Sequence, residues 1–223
     1  MKIICFMFFC FSFTFSFGQD TKILSEHKTL TYATDYSDST NNIYIKDTVR
    51  FITTSIPWKY QPDKQITVIW KYSGLKLNDS IKRKLFSVGW SNIDSTGAIE
   101  TNEQYWMHPT RNNHYTITEI APFPLIELPA SIGKKFSRKL KIYEGWGPWS
   151  NLILVNNYEI IGNETIVVDN NHFECWITKA QSESKLGKSE LVTSYNNKVG
   201  FTKFQYSFYN KASLVLKLIK VEY

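Results

Sequence analysis

Apolar and polar residues alternate along much of the chain, and this period of two restricts the fold more than any other feature. In residues 66–72 and 201–208, large apolar side chains stand mainly at every second position. Such alternation places one face of a β-strand against a core and leaves the other face in water. Similar segments follow at short intervals, separated by turn-forming residues. The pattern predicts an all-β fold of mostly antiparallel sheets, arranged as a sandwich, a half-barrel or an open barrel.

Strand-like composition recurs in further segments, namely 43–54, 85–90, 103–107, 114–120, 134–143, 151–161, 164–169, 172–180 and 189–195. Residues 214–221 are apolar on both sides, which predicts a central strand that is covered on both faces. Three prolines within 121–129 exclude a central strand there and predict an edge or a crossing between sheets. At most one short helix is expected, over 78–86, with Asn78 or Asp79 at its N-terminus.

The first eighteen residues have the composition of an export signal. Lys2 precedes a run of about 15 apolar or small residues, which is shorter than the roughly 20 residues of a membrane span. Ser16 and Gly18 provide the small residues that a signal peptidase requires, so we expect cleavage near Gly18. Lipoprotein processing is the weaker alternative, because Phe9 rather than a small residue precedes Cys10. An exported protein, periplasmic or extracellular, is therefore predicted.

The expected organisation is a signal peptide at 1–18, a loosely ordered and mostly polar N-terminal arm at 19–42, and a single β-rich domain at 43–223. Cleavage would leave Cys175 as the one cysteine, so no disulfide can form within the mature chain. Cys175 falls on the same side of a strand as apolar neighbours. This position favours inert packing, and the alternative is an exposed thiol that pairs between chains.

Positive charge is most concentrated in Lys134, Lys135, Arg138, Lys139 and Lys141. In a strand, three of these lysines share one face and Arg138 lies on the other, with Phe136. The cluster is interpreted as a solvated face, typical of an edge strand that lysines protect from further pairing. The alternative is peripheral contact with an anionic surface through Lys134, Lys135, Lys139 and Lys141. Nucleic acid is not an expected partner, because the chain is exported and aromatic residues are not interleaved with these charges as they are in a base-stacking platform.

The segment 103–114 carries the first group of candidate site residues, Trp106, His108, Arg111 and His114. Imidazole titrates near neutral pH, and the Arg guanidinium can hold a carboxylate or phosphate by two hydrogen bonds. Two histidines six residues apart across a proline match no metal-binding motif, so no metal is predicted. A structural turn, a ligand-binding site and a catalytic site all remain open interpretations.

Trp146 and Trp149 complete the candidate ligand-binding residues, in a loop at 144–150 where glycines flank the first indole. Indoles on a loop can stack on a ligand or lie at a membrane surface, and glycine allows a ligand to approach the backbone. Aromatic residues that close one end of a barrel give the same pattern. The sequence contains no nucleophile elbow, phosphate-binding glycine loop or zinc-protease motif, so no catalytic residue and no cofactor are predicted.

Several motifs together resemble a known group of proteins. They are YWMHPTR at 105–111, APFP at 121–124, the loop with Trp146 and Trp149, and a run from Tyr158 to Phe201. In these features the chain resembles a family of uncharacterised exported β-rich proteins of Gram-negative bacteria, over about residues 40–223. The commoner pattern has a second proline after His-Pro, where this chain has Thr110. The resemblance implies a β-rich fold and a periplasmic location, and it implies no activity.

These observations predict an exported cell-envelope protein that binds a small apolar or amphiphilic ligand, or an envelope component. The first alternative is an envelope hydrolase that uses His108 or His114 as a base. The second alternative is a purely structural or interaction protein. Convergence of five of these residues on one cleft would favour the two functions that need a site, and they are Trp106, His108, Arg111, Trp146 and Trp149.

Overall fold

One continuous sheet of twelve strands forms the molecule in a computed structural model that describes residues 22–40 and 42–223. The predicted signal peptide at 1–18 lies outside the described residues. The strands are β1 (Thr29–Ser37), β2 (Tyr44–Pro57), β3 (Ile66–Tyr72), β4 (Ile93–Glu100), β5 (Gln104–Met107), β6 (Leu125–Glu127), β7 (Lys135–Lys141), β8 (Ile153–Val168), β9 (Asn171–Ser184), β10 (Gly187–Asn196), β11 (Gly200–Ser207) and β12 (Ser213–Glu222).

All neighbouring strands are antiparallel, in the order β6-β5-β4-β3-β2-β1-β12-β11-β10-β9-β8-β7. The sheet curls into a nearly closed barrel, which confirms the predicted all-β, antiparallel fold class. Pairing of β1 with β12 joins the N-terminal and C-terminal halves. The strands β6 and β7 follow each other in sequence, yet they form the two edges of the sheet.

The inner face of the sheet supplies most of the core. One row of inward-facing residues crosses seven strands in register: Tyr36, Leu214, Tyr206, Leu191, Ala180, Tyr158 and Phe136. All of them except the half-buried Phe136, on the edge strand β7, are buried. The alternation in the sequence therefore reflects an inside and an outside of one barrel, because successive side chains point to opposite faces of a strand.

The connection from β5 to β6 passes through the barrel and fills its interior. A predicted strand over 114–120 is wrong, because Asn113–Ile120 forms a 3-10 helix in which all residues except Asn113 are buried. Core residues surround this segment, and some of its polar groups form hydrogen bonds to residues close in sequence. The Thr116 hydroxyl, for example, donates to the Asn113 carbonyl at 2.9 Å. Across the barrel, the Tyr115 hydroxyl lies 2.8 Å from the Thr34 hydroxyl of β1.

The sequence-predicted loose arm over 19–42 is corrected by the structure. Residues Thr29–Ser37 form β1, which pairs with β2 on one side and β12 on the other, near the middle of the sheet. Before it, a 3-10 helix at Ile23–Ser25 is fixed by Glu100, whose two carboxylate oxygens accept the backbone N–H groups of Ile23 and Leu24 at 2.7 Å each. Buried backbone donors need partners, and this carboxylate supplies two.

Side chains link the two edges of the barrel. Arg138 of β7 donates to Glu127 of β6 at 2.8 Å. The Lys134 ammonium donates to the Pro129 carbonyl at 3.1 Å. The prolines of 121–129 accordingly flank an edge strand, as the sequence predicts, and β7 is the lysine-rich edge that was expected.

Other predicted elements are mostly confirmed. The short helix is α1 (Asp79–Lys84), where the Asn78 side chain accepts a hydrogen bond from the Ile81 N–H at 2.9 Å. No helix in the described part of the chain is both long and apolar enough to cross a membrane. Residues 85–90 contain no strand, which contradicts the prediction. The predicted break at 162–163 is absent, because Ile153–Val168 is one long strand, β8, in which an extra residue at Ile161 forms a bulge without ending the strand.

Two further sequence predictions have mixed outcomes. β12 is central, as predicted, but only the face with Leu214, Leu216 and Leu218 is buried, and Ile219 on the other side is exposed. Cys175 is buried, as expected for inert packing, and its sulfur lies 3.3 Å from the Thr202 hydroxyl. Burial raises the pKa of the Cys175 thiol.

Glu100→Ala should destabilise the fold through the 3-10 helix at Ile23–Ser25. The substitution leaves two buried N–H groups without acceptors, so we expect the free energy of unfolding to fall by about 2–4 kcal/mol. Urea denaturation measures this change. Glu103→Ala is the matched control on the next turn, where the side chain is exposed, and it should alter stability by less than about 0.5 kcal/mol. Equal effects of the two substitutions would contradict the assigned role.

Candidate functional site

The turn after β5 carries three of the six sequence-predicted site residues. Trp106 lies near the end of β5, and His108 begins the turn, where its N–H donates to the Gly97 carbonyl at 3.0 Å. The His108 ring packs against Phe123, with ring centres 4.6 Å apart, and Trp106 lies within 6.3 Å of both rings. Phe123, in the segment that leads back to β6, therefore packs against this turn.

Charged groups surround His108 inside this turn. The His108 Nδ1 lies 3.1 Å from the Pro109 carbonyl oxygen, which can only accept, so this contact assigns the proton to Nδ1. Its Nε2 lies 3.3 Å from Glu119 Oε2 and 3.5 Å from Arg111 Nη1. Glu119 is buried, and its Oε2 is close enough for an ion pair but lacks the alignment of a hydrogen bond. The imidazole thus stands between a buried carboxylate and a guanidinium.

Arg111 connects the turn to the tryptophan loop. Its Nε donates to Asp94 of β4 at 3.2 Å, and its guanidinium lies 5.9 Å from the centre of the Trp146 ring, within the range of a cation–π contact. Trp149 is different, since it is buried and packs on Phe86 at 4.3 Å between ring centres. Trp146 therefore joins the cluster of Trp106, His108 and Arg111. Trp149 anchors the loop in the core through its contact with Phe86.

His114 does not join this cluster. Its ring lies 3.9 Å from the ring of Tyr115 and 5.7 Å from that of Tyr36, on the wall of a separate surface depression beside Tyr72 and Trp90. Burial lowers the pKa of His114 to about 4, although Asp47 nearby acts in the opposite direction. The side chain is therefore neutral near pH 7, and its buried Nε2 has no hydrogen-bond partner among the described residues.

A cleft of about 220 Å³ opens where the two edges of the barrel meet, and it is named the seam cleft below. Its walls come from β4, β5, β7 and β8 and from the segment that returns to β6. The lining residues are Ile99, Gln104, Trp106, Phe123, Arg138, Lys139, Leu140, Asn156 and Tyr158. Trp106 and Phe123 belong to both the cleft and the His108 cluster, so the two features are continuous.

One polar group in the wall of the seam cleft stands out. Asn156 is 2% exposed, and its Oδ1 has no hydrogen-bond partner among the described residues. The nearby Tyr158 hydroxyl is satisfied, because it donates to the Phe123 carbonyl at 3.0 Å, and burial raises the pKa of this phenol. Buried polar atoms in folded proteins nearly always have a partner. The free amide oxygen is therefore a position where a bound molecule could donate a hydrogen bond.

Sequence reasoning identified Trp106 but missed the rest of the seam cleft. The alternation in 134–143 and 151–161 shows which residues share a face, and it correctly places Arg138 with Phe136 and Leu140. It does not show that β7 lies at the opposite edge from β6, which brings Leu140 and Asn156 near Trp106. Contact of Lys134, Lys135, Lys139 and Lys141 with an anionic surface stays a prediction.

The fold and the cleft together define a class of protein: a nearly closed antiparallel barrel with a filled interior and a small aromatic cleft at its seam. No protein family matches the sequence, and no curated protein is a recognisable relative. Solved structures with a similar fold exist, at TM-scores just below 0.5 and at low sequence identity.

One of these structures is a protein from Bacteroides fragilis described as exported and of YmcC-like fold, with a TM-score of 0.48 and 10% identity, covering 89% of this chain and 96% of that one. A protein from Parabacteroides distasonis that is described as a lipoprotein gives a TM-score of 0.48 and 12% identity, with the same coverage. The hypothetical lipoprotein YmcC from Escherichia coli gives 0.40 and 10%, covering 90% and 91%. At such identities these structures say nothing about what this chain binds.

His114→Phe should remove part of the acid sensitivity of the fold. The pKa of His114 in the folded protein, about 4, lies below its ordinary value of about 6.5, so the unfolded chain binds more protons between these pH values. The free energy of unfolding should therefore fall by about 3 kcal/mol, through this group, as the pH decreases from 6.5 to 4. Urea denaturation at several pH values should show this loss in the native chain and not in the variant.

The exposed His172 provides the control for this measurement. His172→Phe should leave the pH dependence of the native chain unchanged. If His114→Phe retains the full dependence, the neutral buried state assigned to His114 is wrong.

Proposed function

We propose that this exported protein binds one small amphiphilic molecule in the seam cleft. The observation that carries the proposal is the unpaired Oδ1 of Asn156 in the wall of a cleft lined by Trp106, Phe123, Leu140 and Tyr158. Aromatic and aliphatic walls with a few converging polar groups are typical of small-molecule sites. The ligand would place apolar surface on the rings and donate a hydroxyl or amide hydrogen to the Asn156 oxygen.

The volume of the seam cleft limits the size of the ligand. The seam cleft, at about 220 Å³, is smaller than the roughly 300–1,000 Å³ typical of pockets for drug-sized molecules. The barrel interior does not extend it, because Pro109 and Thr110 pack toward Phe204 and Tyr206 and leave a gap of about 10 Å³. That gap is about the size of one water molecule. A short molecule, or one end of a longer one, fits this geometry.

The mouth of the cleft is polar, which supports an amphiphile rather than a purely apolar ligand. Arg138 and Lys139 line the opening together with Gln104. Arg138 is about half exposed and already pairs with Glu127, so a ligand head group would compete with a solvated ion pair. Such exposed pairs contribute about 0–1 kcal/mol, so an anionic or hydrogen-bonding head group can replace the Glu127 contact at low cost.

The hydrolase alternative has less support from the geometry. His114 is buried away from the cluster, and the recorded polar contacts of His108 are to Pro109, Glu119 and Arg111. No hydroxyl or thiol in the described part of the chain is hydrogen-bonded to His108. Binding therefore accounts for more of the site than acyl transfer does, since the latter needs a nucleophile beside its base.

Leu140→Trp should block the seam cleft without affecting the outer surface. The probe is the dye anilinonaphthalene sulfonate, an amphiphile with fused rings, an amine N–H and an anionic group. We expect Leu140→Trp to weaken dye binding at least about tenfold, as filling the site would. Fluorescence titration measures the dissociation constant, and a native mass spectrum of protein isolated from its own cell fraction tests for a natural ligand.

Ile153→Trp is the matched control, because Ile153 pairs with Lys141 on the outer face of the same two strands, away from the lining residues, and is exposed. It should leave the dissociation constant within about twofold of the native value. Equal dye binding by both folded variants would contradict the proposal and favour a structural or interaction role.

Asn156→Leu separates a ligand-binding amide from a structural one. Replacing a buried oxygen that has no partner by an apolar group of similar shape should raise the free energy of unfolding by about 1–3 kcal/mol. The same variant should bind the dye more weakly, because the acceptor for its N–H is lost. A variant that loses stability would show that Asn156 serves the fold, and this outcome would remove the main support for the site.

A further inference from the structure

Exposed apolar side chains are concentrated in the connection between β3 and β4. Leu75, Phe86, Val88 and Trp90 in this connection, and Ile93 at the start of β4, are each 40–49% exposed. None of the six residues of α1, which lies within this connection, is buried. A cluster of large exposed apolar side chains on a monomeric protein typically marks an interaction surface.

The same connection is strongly basic. It contains Lys76, Lys82, Arg83 and Lys84 against one acidic residue, Asp79. None of these four cations forms an ion pair with a described residue. The contrast with β7 is clear, since Lys135 there lies 3.7 Å from Glu159 and Arg138 pairs with Glu127. Free positive charge and exposed apolar surface therefore coincide in the β3–β4 connection.

This connection is held in place by the barrel. Asn113 fixes it through three hydrogen bonds: its N–H donates to the Gly89 carbonyl, its side chain accepts from the Ser91 N–H, and its amide donates to the Ser91 carbonyl, all at 2.9–3.0 Å. Phe86 also packs on Trp149. The apolar side chains are exposed on an ordered support, so binding through them does not require folding of the segment.

The arrangement of Lys82 and Trp90 matches the chemistry of a membrane surface. The Lys82 ammonium lies 5.4 Å from the centre of the Trp90 ring. Indole rings favour the level of the lipid head groups, where basic side chains can remain charged. Anionic lipids attract each nearby Lys or Arg by about 1 kcal/mol, and apolar side chains add to this by entering the acyl boundary.

We propose that residues 74–93 dock the protein on an anionic lipid bilayer surface. The four basic side chains contact the head groups, while Leu75, Val88 and Trp90 enter the outer part of the acyl region. Charge complementarity selects a lipid surface over an apolar protein partner, because the exposed apolar groups are interleaved with unpaired cations. This surface differs from the β7 lysines that the sequence suggested for such a contact.

The test measures vesicle binding of the mature chain by sedimentation. Vesicles of phosphatidylcholine with added phosphatidylglycerol should bind the protein, and vesicles of phosphatidylcholine alone should bind it much more weakly. Lys82→Gln combined with Lys84→Gln should reduce the partition coefficient about 5-fold per charge removed. Val88→Ser combined with Trp90→Ser should also reduce it, because the inserted apolar area is lost.

Matched controls lie on and beside β7. Lys141 and Tyr143 form a similar pair, with 5.8 Å between the ammonium and the ring centre, and Val155 is exposed like Val88. Lys139→Gln with Lys141→Gln, and Tyr143→Ser with Val155→Ser, should leave binding unchanged. Circular dichroism checks that every variant is folded. Leu140→Trp should bind vesicles normally, which separates this surface from the seam cleft.

Several results would overturn the proposal. One is equal binding to both kinds of vesicle, and another is the absence of any binding. A third is a loss of binding in the β7 variants while the variants of the β3–β4 connection bind normally. A dimer that dissociates in Val88→Ser with Trp90→Ser, while vesicle binding stays unchanged, would instead assign the patch to self-association. Analytical ultracentrifugation in the absence of lipid measures that outcome.

Discussion

The strand order of the sheet governs this structure. The two edge strands, β6 and β7, are consecutive in sequence, and their outer backbone groups have no neighbouring strand to pair with. Pairing of β1 with β12 closes the sheet at the chain ends, so the two open edges, β6 and β7, fall in mid-chain. Curling of the sheet brings these edges together, and Arg138 and Glu127 link them by side chains. Backbone hydrogen bonds between β6 and β7 would close the barrel completely. The side-chain contacts that link them instead leave room for a cleft.

The same connection that precedes the edge strand β6 also fills the barrel. Residues 108–124 enter the interior, and their buried threonines and Tyr115 satisfy polar groups there through short-range bonds and through Thr34. A filled interior stabilises the barrel by burying apolar surface, and it excludes a large internal ligand chamber. The seam cleft lies outside this filled interior, beside Trp106 and Phe123 at the two ends of the connection.

The sequence predicts those parts of this arrangement that depend on residues close together in the chain. Alternation in 66–72 and 201–208 gives strands because side-chain direction within a strand is a local property. Thr29–Ser37 alternates as well, with Leu30, Tyr32 and Tyr36 inward, but the polar cluster after it suggested a loose arm. The segment 114–120 was misassigned because burial on all sides removes the contrast between faces. Convergence of Trp106, Asn156 and Leu140 depends on long-range strand order, which no local pattern encodes.

The buried Glu119 shows how the aromatic cluster depends on charges from separate strands. Its Oε2 lies 3.3 Å from His108 Nε2, and the same imidazole nitrogen lies 3.5 Å from Arg111 Nη1. Arg111 is in turn positioned by Asp94 on β4 and covered by Trp146 from the far loop. Contacts from β4, from the β5–β6 connection and from the tryptophan loop therefore meet at this turn. Through the contact of His108 with Trp106 and Phe123, this turn supports one wall of the seam cleft.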